Sequence, residues 1–203
     1  MTLRKFLSRQ APGLKPGFSL VELMVTVALV AIILGLSSVY LNSSQYKLRT
    51  AAYNLRSVLQ KTRLEAIKRN RTVFLDFDVN NDGVVDGNFT MWVDLNGNHN
   101  YDGTNELLET IGGMSGIAIG SVPNSQGGPG TNNTPSGSGT IPVDGVSLSG
   151  DRARFNPDGT ATTGTVYLRS GSDPNAGTYA IVLDSIGRTR ISYFQPGGSW
   201  KPL

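Results

Sequence analysis

Gly17-Phe18-Ser19-Leu20-Val21-Glu22 opens a run of Leu, Val, Ala, Ile and Met that continues to about Tyr40, with Glu22 as its only charge. Coiled as a helix, this run is long enough to cross a hydrocarbon core of about 30 Å. An ionised group at that depth costs at least about 2.5–3.5 kcal/mol, so a carboxylate placed there needs a partner. A cut between Gly17 and Phe18 supplies one. The new α-amino group of Phe18, with an unperturbed pKa of about 8, would lie near the membrane interface and pair with Glu22 of a neighbouring copy. Gly17 suits the cut because it lets the backbone extend into a protease cleft.

The preceding segment, Met1 to Gly17, holds Arg4, Lys5, Arg9 and Lys15 and no acid, and Pro12 and Pro16 keep it from joining the helix behind it. An ordinary secretory signal places small residues and its cut after the apolar run. Here Leu34-Gly35-Leu36-Ser37-Ser38 leads straight into a helical pattern. A basic leader, then Gly17, Phe18, and Glu22 at the fifth position of the trimmed chain, resembles the prepilin signal of type IV pilins and type II secretion pseudopilins. That resemblance implies cleavage by a membrane prepilin peptidase and N-methylation of Phe18. It further implies a single pass through the bacterial inner membrane, leader in the cytoplasm and head in the periplasm. The helix would then enter a pilus or pseudopilus built from other pilins on an inner-membrane assembly platform.

The net charge of +3 averages regions of opposite sign. Residues 18–71 carry eight basic side chains against Glu22 and Glu65, whereas residues 72–203 carry six against thirteen acids. An acidic head argues against general nucleic-acid binding, which wants a basic face. The absence of cysteine excludes disulfides and thiolate metal sites. The only histidine is His99, and no Ser-His-Asp ordering, phosphate loop or His-based metal motif is present, so the chain reads as a structural subunit rather than an enzyme.

Beyond the apolar run, Tyr46, Leu48, Ala51, Ala52, Leu55, Val58, Leu59, Thr62, Ala66 and Ile67 recur at helical spacing between basic residues. The pattern predicts one helix from about Phe18 to Arg69, roughly 75–80 Å long. Residues 18–41 form its membrane or filament-core part and 42–71 an amphipathic continuation. After Asn70 come strand patterns over 72–77 and 89–94, a weaker one over 114–119, and others near 146–148, 153–155, 164–168, 179–183 and 190–194. Residues 121–140 are Gly, Ser, Asn, Pro and Thr almost throughout and read as an exposed flexible loop. The fold class is α+β: a long N-terminal helix on a β-rich head, 72–203. Arg63-Leu-Glu-Ala-Ile-Lys-Arg-Asn70, Phe155-Asn-Pro-Asp-Gly159 followed by Gly164-Thr-Val-Tyr-Leu168, and Ile186-Gly-Arg-Thr-Arg190 resemble the H-type minor pseudopilins and FimT-type minor pilins. Membership implies a type IV pilin-like fold with an antiparallel sheet, and a low-copy subunit at or near the filament tip.

Two loops have calcium spacing. Asp78, Asn80, Asp82 and Asp86 occupy positions 1, 3, 5 and 9 of one, with Gly83 at position 6 and the Val84 carbonyl at 7, but position 12 is Phe89. Asp94, Asn96, Asn98 and Asp102 repeat the spacing, with His99 in place of glycine and Glu106 one residue late. Glu106 or Asp94 would have to complete the first site, and Ca²⁺ is the candidate cofactor. The competing reading is metal-free Asx turns, which favour the same residues. Gly187-Arg188-Thr189-Arg190 offers an alternative role. In the FimT branch such a stretch is associated with DNA capture during natural transformation, and paired guanidiniums grip phosphates in a salt-sensitive way. The acidic head weighs against this, and a polar hairpin edge is the simpler account.

Overall fold

The computed structural model describes residues 19–41, 44–78, 85, 88–137 and 139–203, with side chains of 36–41 excepted. The expected positions Gly17, Phe18, Asn80, Asp82, Val84 and Asp86 lie outside the described residues. The chain divides into two compact units, Met1–Tyr40 and Leu41–Leu203.

The first unit holds α1, Leu20–Leu41, except for its last residue. Its side chains are apolar on every side and exposed from Ser19 to Gly35. Among the described residues no helix is long and apolar enough to cross a membrane. The stretch of α1 whose side chains are described, Leu20 to Gly35, rises about 24 Å, short of a core of about 30 Å.

The second unit opens with α2, Ser44–Arg69. The expected continuous helix is thus described as two elements, and residues 42–43 between them lie outside the described residues. One face of α2, Leu48, Ala51, Ala52, Leu55, Leu59, Thr62 and Ala66, is buried, as the periodicity predicts. Tyr46 and Ile67, expected in the same stripe, flank it and stay about half exposed. The helix stops where Asn70 turns to φ +51° and Arg71 N–H reaches back to the Ala66 carbonyl, a left-handed cap that asparagine tolerates.

Among the described residues nine strands follow: β1 Val73–Asp76, β2 Phe89–Val93, β3 Leu107–Ile111, β4 Ile117–Ile119, β5 Arg152–Phe155, β6 Gly164–Ser170, β7 Thr178–Leu183, β8 Thr189–Phe194 and β9 Trp200–Pro202. They form two antiparallel sheets ordered β3-β2-β1-β5 and β4-β6-β7-β8-β9. The helix α2 packs on β1 and β5 of the first sheet and on β4, β6, β7 and β8 of the second. Its small residues Ala51, Ala52 and Ala66 let the inward side chains of both sheets, such as Leu75, Phe155, Leu168 and Ile181, close around it in one core.

The outer faces are covered as well. On the first sheet Phe74 stacks on Trp92, ring centroids 4.2 Å apart, beneath His99 and Tyr101 of the loop after β2. On the second, Tyr167, Ala180 and Ile141 form a smaller apolar cluster with Trp200 against it. The stretch 121–140 contributes to this cover: Val122, Gly128, Pro129 and Thr134 are buried. Val122 N–H donates to Thr178 Oγ1, Gly197 N–H to the Gly127 carbonyl, and Trp200 Nε1–H to the Asn133 carbonyl at 2.7 Å. Its polar composition does not keep it off the sheet, because backbone hydrogen bonds and a few small side chains are enough to fit it there.

Candidate functional site

Glu22 sits in the first turn of α1, where a negative charge complements the helix dipole. Leu23 N–H closes that turn on the Ser19 carbonyl at 3.1 Å. The Glu22 carboxylate is exposed and, among the described residues, has no hydrogen-bond or ion-pair partner. All around it the helix presents Leu20, Val21, Leu23, Met24, Val25 and Val27, each more than half exposed. The result is an apolar rod with one unsatisfied acid near its start.

The acidic loops resolve differently. In the second, Asp94 is buried and its two carboxylate oxygens accept the N–H groups of Gly97 and His99. Glu106 is buried too, accepting from Leu95 N–H at 3.0 Å and Asp102 N–H at 2.9 Å. Asn96 and Asn98 each accept a backbone N–H two residues on and donate their side-chain amides to Asp102 Oδ2. The loop therefore closes on its own donors, as Asx turns do. Asp94 and Glu106, expected to complete the first loop, are both engaged in the second. Among the described residues no group of three or more His, Asp or Glu side chains is placed to hold a metal ion.

Of the first loop Asp78 is described; it is buried just after β1, and its N–H donates to Asp76 Oδ1. Asp76 also accepts from Trp92 Nε1 at 3.3 Å. Burial pushes the Asp76 carboxyl up, against the pull of the Asp78 N–H, Arg152 and Trp92. Asp151 is likewise raised, first by burial and then by Asp144 and Asp78.

The motif on α2 and the two glycine-containing motifs of the C-terminal half converge at one junction. Arg63 on α2 donates through Nε to the Gly159 carbonyl at 3.0 Å, and Gln60 donates to Thr189 Oγ1 at 2.8 Å. Gly187, at φ +74°, lies so close that a Cβ there would stand 2.4 Å from the Gly159 carbonyl oxygen and 2.8 Å from Arg63 Nε. Both glycine turns are thus clamped to the distal part of α2. Sequence reading found each motif separately; only their contact explains why Arg63, Gly159 and Gly187 occur together.

Arg188 and Arg190 are both exposed, but they are not equivalent. Asp184 accepts the Arg188 backbone N–H at 2.9 Å and its Nε–H at 3.2 Å. Burial works to raise the Asp184 carboxyl, yet these hydrogen bonds and the charges of Arg188 and Arg190 bring it below the usual carboxylate range. Arg190 makes no hydrogen bond or ion pair among the described residues. Its partner across the sheet is Val182, which places it on the outer face of β8.

Residues 51–187 match the family model of the type II transport protein GspH, and residues 15–38 match the prokaryotic N-terminal methylation motif. No curated protein matches the chain. Similar solved structures include the type IV minor pilin FimU of Pseudomonas aeruginosa, 16% identical, covering 77% of this chain and 92% of that one with a TM-score of 0.45. The minor pseudopilin EpsH from the type 2 secretion system of Vibrio cholerae is 14% identical, with 75% and 99% coverage and a TM-score of 0.42. The matched region runs from the buried face of α2 to the second glycine turn, and on that match the chain belongs to the GspH family of type II transport proteins.

Proposed function

We propose that this minor pilin-type subunit is anchored in the bacterial inner membrane by α1 and works at or near the tip of a type II secretion pseudopilus or type IV pilus. In this reading prepilin peptidase cuts between Gly17 and Phe18, Phe18 is N-methylated, and the assembly platform moves the helix from bilayer to filament. The observation that carries the reading is the exposed apolar surface of α1 around a single carboxylate that has no partner among the described residues. A helix apolar on all sides needs lipid or other helices around it. Eleven large apolar side chains between Leu20 and Leu34 are more than half exposed. At even about 1 kcal/mol each, their burial outweighs the cost of about 2.5–3.5 kcal/mol for carrying Glu22 into a bilayer.

Glu22 is therefore tolerated in the membrane but better satisfied in the filament, where a neighbour's N-terminal amine supplies the opposite charge in a medium of low dielectric. This favours docking in one register. The test is Glu22→Ala in cells: the variant is still trimmed after Gly17 but enters filaments poorly, as scored by mass spectrometry of its N-terminus and by co-purification with other pilins. Normal incorporation, or an intact and unmethylated N-terminus on the wild-type chain, would defeat the proposal.

The DNA-capture alternative has weaker support. Arg188 is neutralised by Asp184, which leaves Arg190 to grip phosphate from an acidic head. Sequence-independent binding needs several phosphate contacts.

A further inference from the structure

We propose that the first turns of α2 dock on the anionic phospholipid headgroups of the membrane that holds α1, an inference that rests on the anchoring reading above. The helix carries its cations in two sets. Those of its distal half are matched by groups of their own unit: Lys61 pairs with Glu109, Arg63 donates to the Gly159 carbonyl, and Lys68 and Arg69 pair with Glu65. Those of its first half, Lys47, Arg49 and Arg56, are exposed and make no hydrogen bond or ion pair among the described residues. The chain places no acid near them in sequence either, since none occurs between Glu22 and Glu65. The head thus answers the charge at one end of α2 and leaves it standing at the other.

The end left charged is the one joined to α1. At no more than about 3.5 Å per residue, the chain from Leu41 to Lys47 keeps this cation within about 20 Å of the last residue of α1 by whatever path it runs. Such a tether lets a weak attraction act at high effective concentration. With about 100° of turn per residue, Tyr46, Thr50 and Tyr53 fall in the middle of the face opposite the buried stripe, with Lys47 on one flank and Arg49 and Arg56 on the other. Arg49 lies over the Tyr53 ring, 5.7 Å from its centroid. Exposed tyrosine rings flanked by cations suit a headgroup layer: the rings sit at the boundary between hydrocarbon and water, and the ammonium and guanidinium groups reach phosphate. The acidic head of a neighbouring subunit offers carboxylates to the same cations, but the chain does not hold it beside them, and it gives the tyrosines no such boundary.

The test uses the full chain, which contains no cysteine, so that Thr50→Cys carries a single fluorophore. The labelled chain is placed in vesicles of phosphatidylcholine alone or mixed with phosphatidylglycerol. A quencher on the lipid headgroups reads docking at position 50, and the same fluorophore on Ala28→Cys, with a quencher in the acyl chains, reads insertion of α1. The expected result is stronger quenching at position 50 in the anionic vesicles, the docked-to-undocked ratio rising about fivefold for each cation that reaches the surface. High salt erases the difference. So does the combined variant Lys47→Gln, Arg49→Gln, Arg56→Gln; all three side chains are exposed, and an unchanged melting temperature verifies its fold. A fluorophore on Leu64→Cys, exposed on the distal half, does not respond to lipid charge. If α1 is inserted and position 50 is quenched equally in both lipids, the docking proposal falls while the anchoring reading stands; if α1 is not inserted, both fall. Quenching indifferent to lipid charge, together with failure of the combined variant to co-purify with other pilins, would assign this face to a neighbouring subunit and likewise overturn the proposal.

Discussion

Replacing Gly187 by alanine tests whether the glycine turns and Arg63 form one closed junction. Two costs add. An L-residue at φ +74° carries strain of about 1 kcal/mol, and a Cβ placed 2.4 Å from the Gly159 carbonyl must displace backbone, an overpacking cost of about 1–3 kcal/mol. The expected loss is about 3 kcal/mol, or about 6–12 °C in melting temperature for a chain of 203 residues. Gly97 is the control: its φ is +80°, but nothing lies within 4 Å of its Cβ position, so Gly97→Ala pays only the strain. Its melting temperature falls about 2–4 °C. Thermal unfolding followed by far-ultraviolet circular dichroism reads both variants. Arg63→Ala is the third arm. Shortening Arg63 removes the 2.8 Å contact but not the one with the Gly159 carbonyl, so the double variant is less destabilised than the sum of the singles. Equal losses for Gly187→Ala and Gly97→Ala, with additive behaviour at Arg63, would refute the junction.

Two further predictions concern the carboxylates of the head. The raised Asp76 binds its proton more tightly folded than unfolded, so its contribution to stability is full below the ordinary aspartate range and is lost as pH rises through its elevated value. The advantage of wild type over Asp76→Asn therefore shrinks as pH increases from acid toward neutral in urea unfolding series; an advantage that grows with pH contradicts this. Glu106→Gln replaces one of two acceptor oxygens with a donor facing a backbone N–H, at a cost of about 1–3 kcal/mol. That loss is the same in Ca²⁺ and in chelator, because backbone donors hold the carboxylate; a calcium-dependent difference between wild type and variant would make the second loop a metal site.

Periodicity located the amphipathic helix because its buried positions recur at the spacing of one helical face, Leu48 to Ala66, whatever they pack against. The strands β7 and β8 of the second sheet were legible for a similar reason, since turn residues flank and end them. The strands β3 and β9 were not. Leu107–Ile111 follows an acid-rich loop and shows no clean alternation, and Trp200–Pro202 is too short to form a pattern. The segment 121–140 exposes most of its described side chains, in line with its polar composition, while the hydrogen bonds that fasten it to Thr178, Gly197 and Trp200 come from residues far along the chain.

The local order of residues alone determined the apolar helix, its single carboxylate and the match of residues 15–38 to the N-terminal methylation motif, because hydrophobicity, charge and short motifs are properties of consecutive side chains. The tertiary structure decided which acids were free to act. Asp94 and Glu106 look like spare ligands in sequence and are tied to backbone N–H groups in space, and Arg188 and Arg190 look like a pair until Asp184 takes one of them. Whether a polar group is available depends on the donors and acceptors that folding brings within about 3 Å of it, and those come from anywhere in the chain.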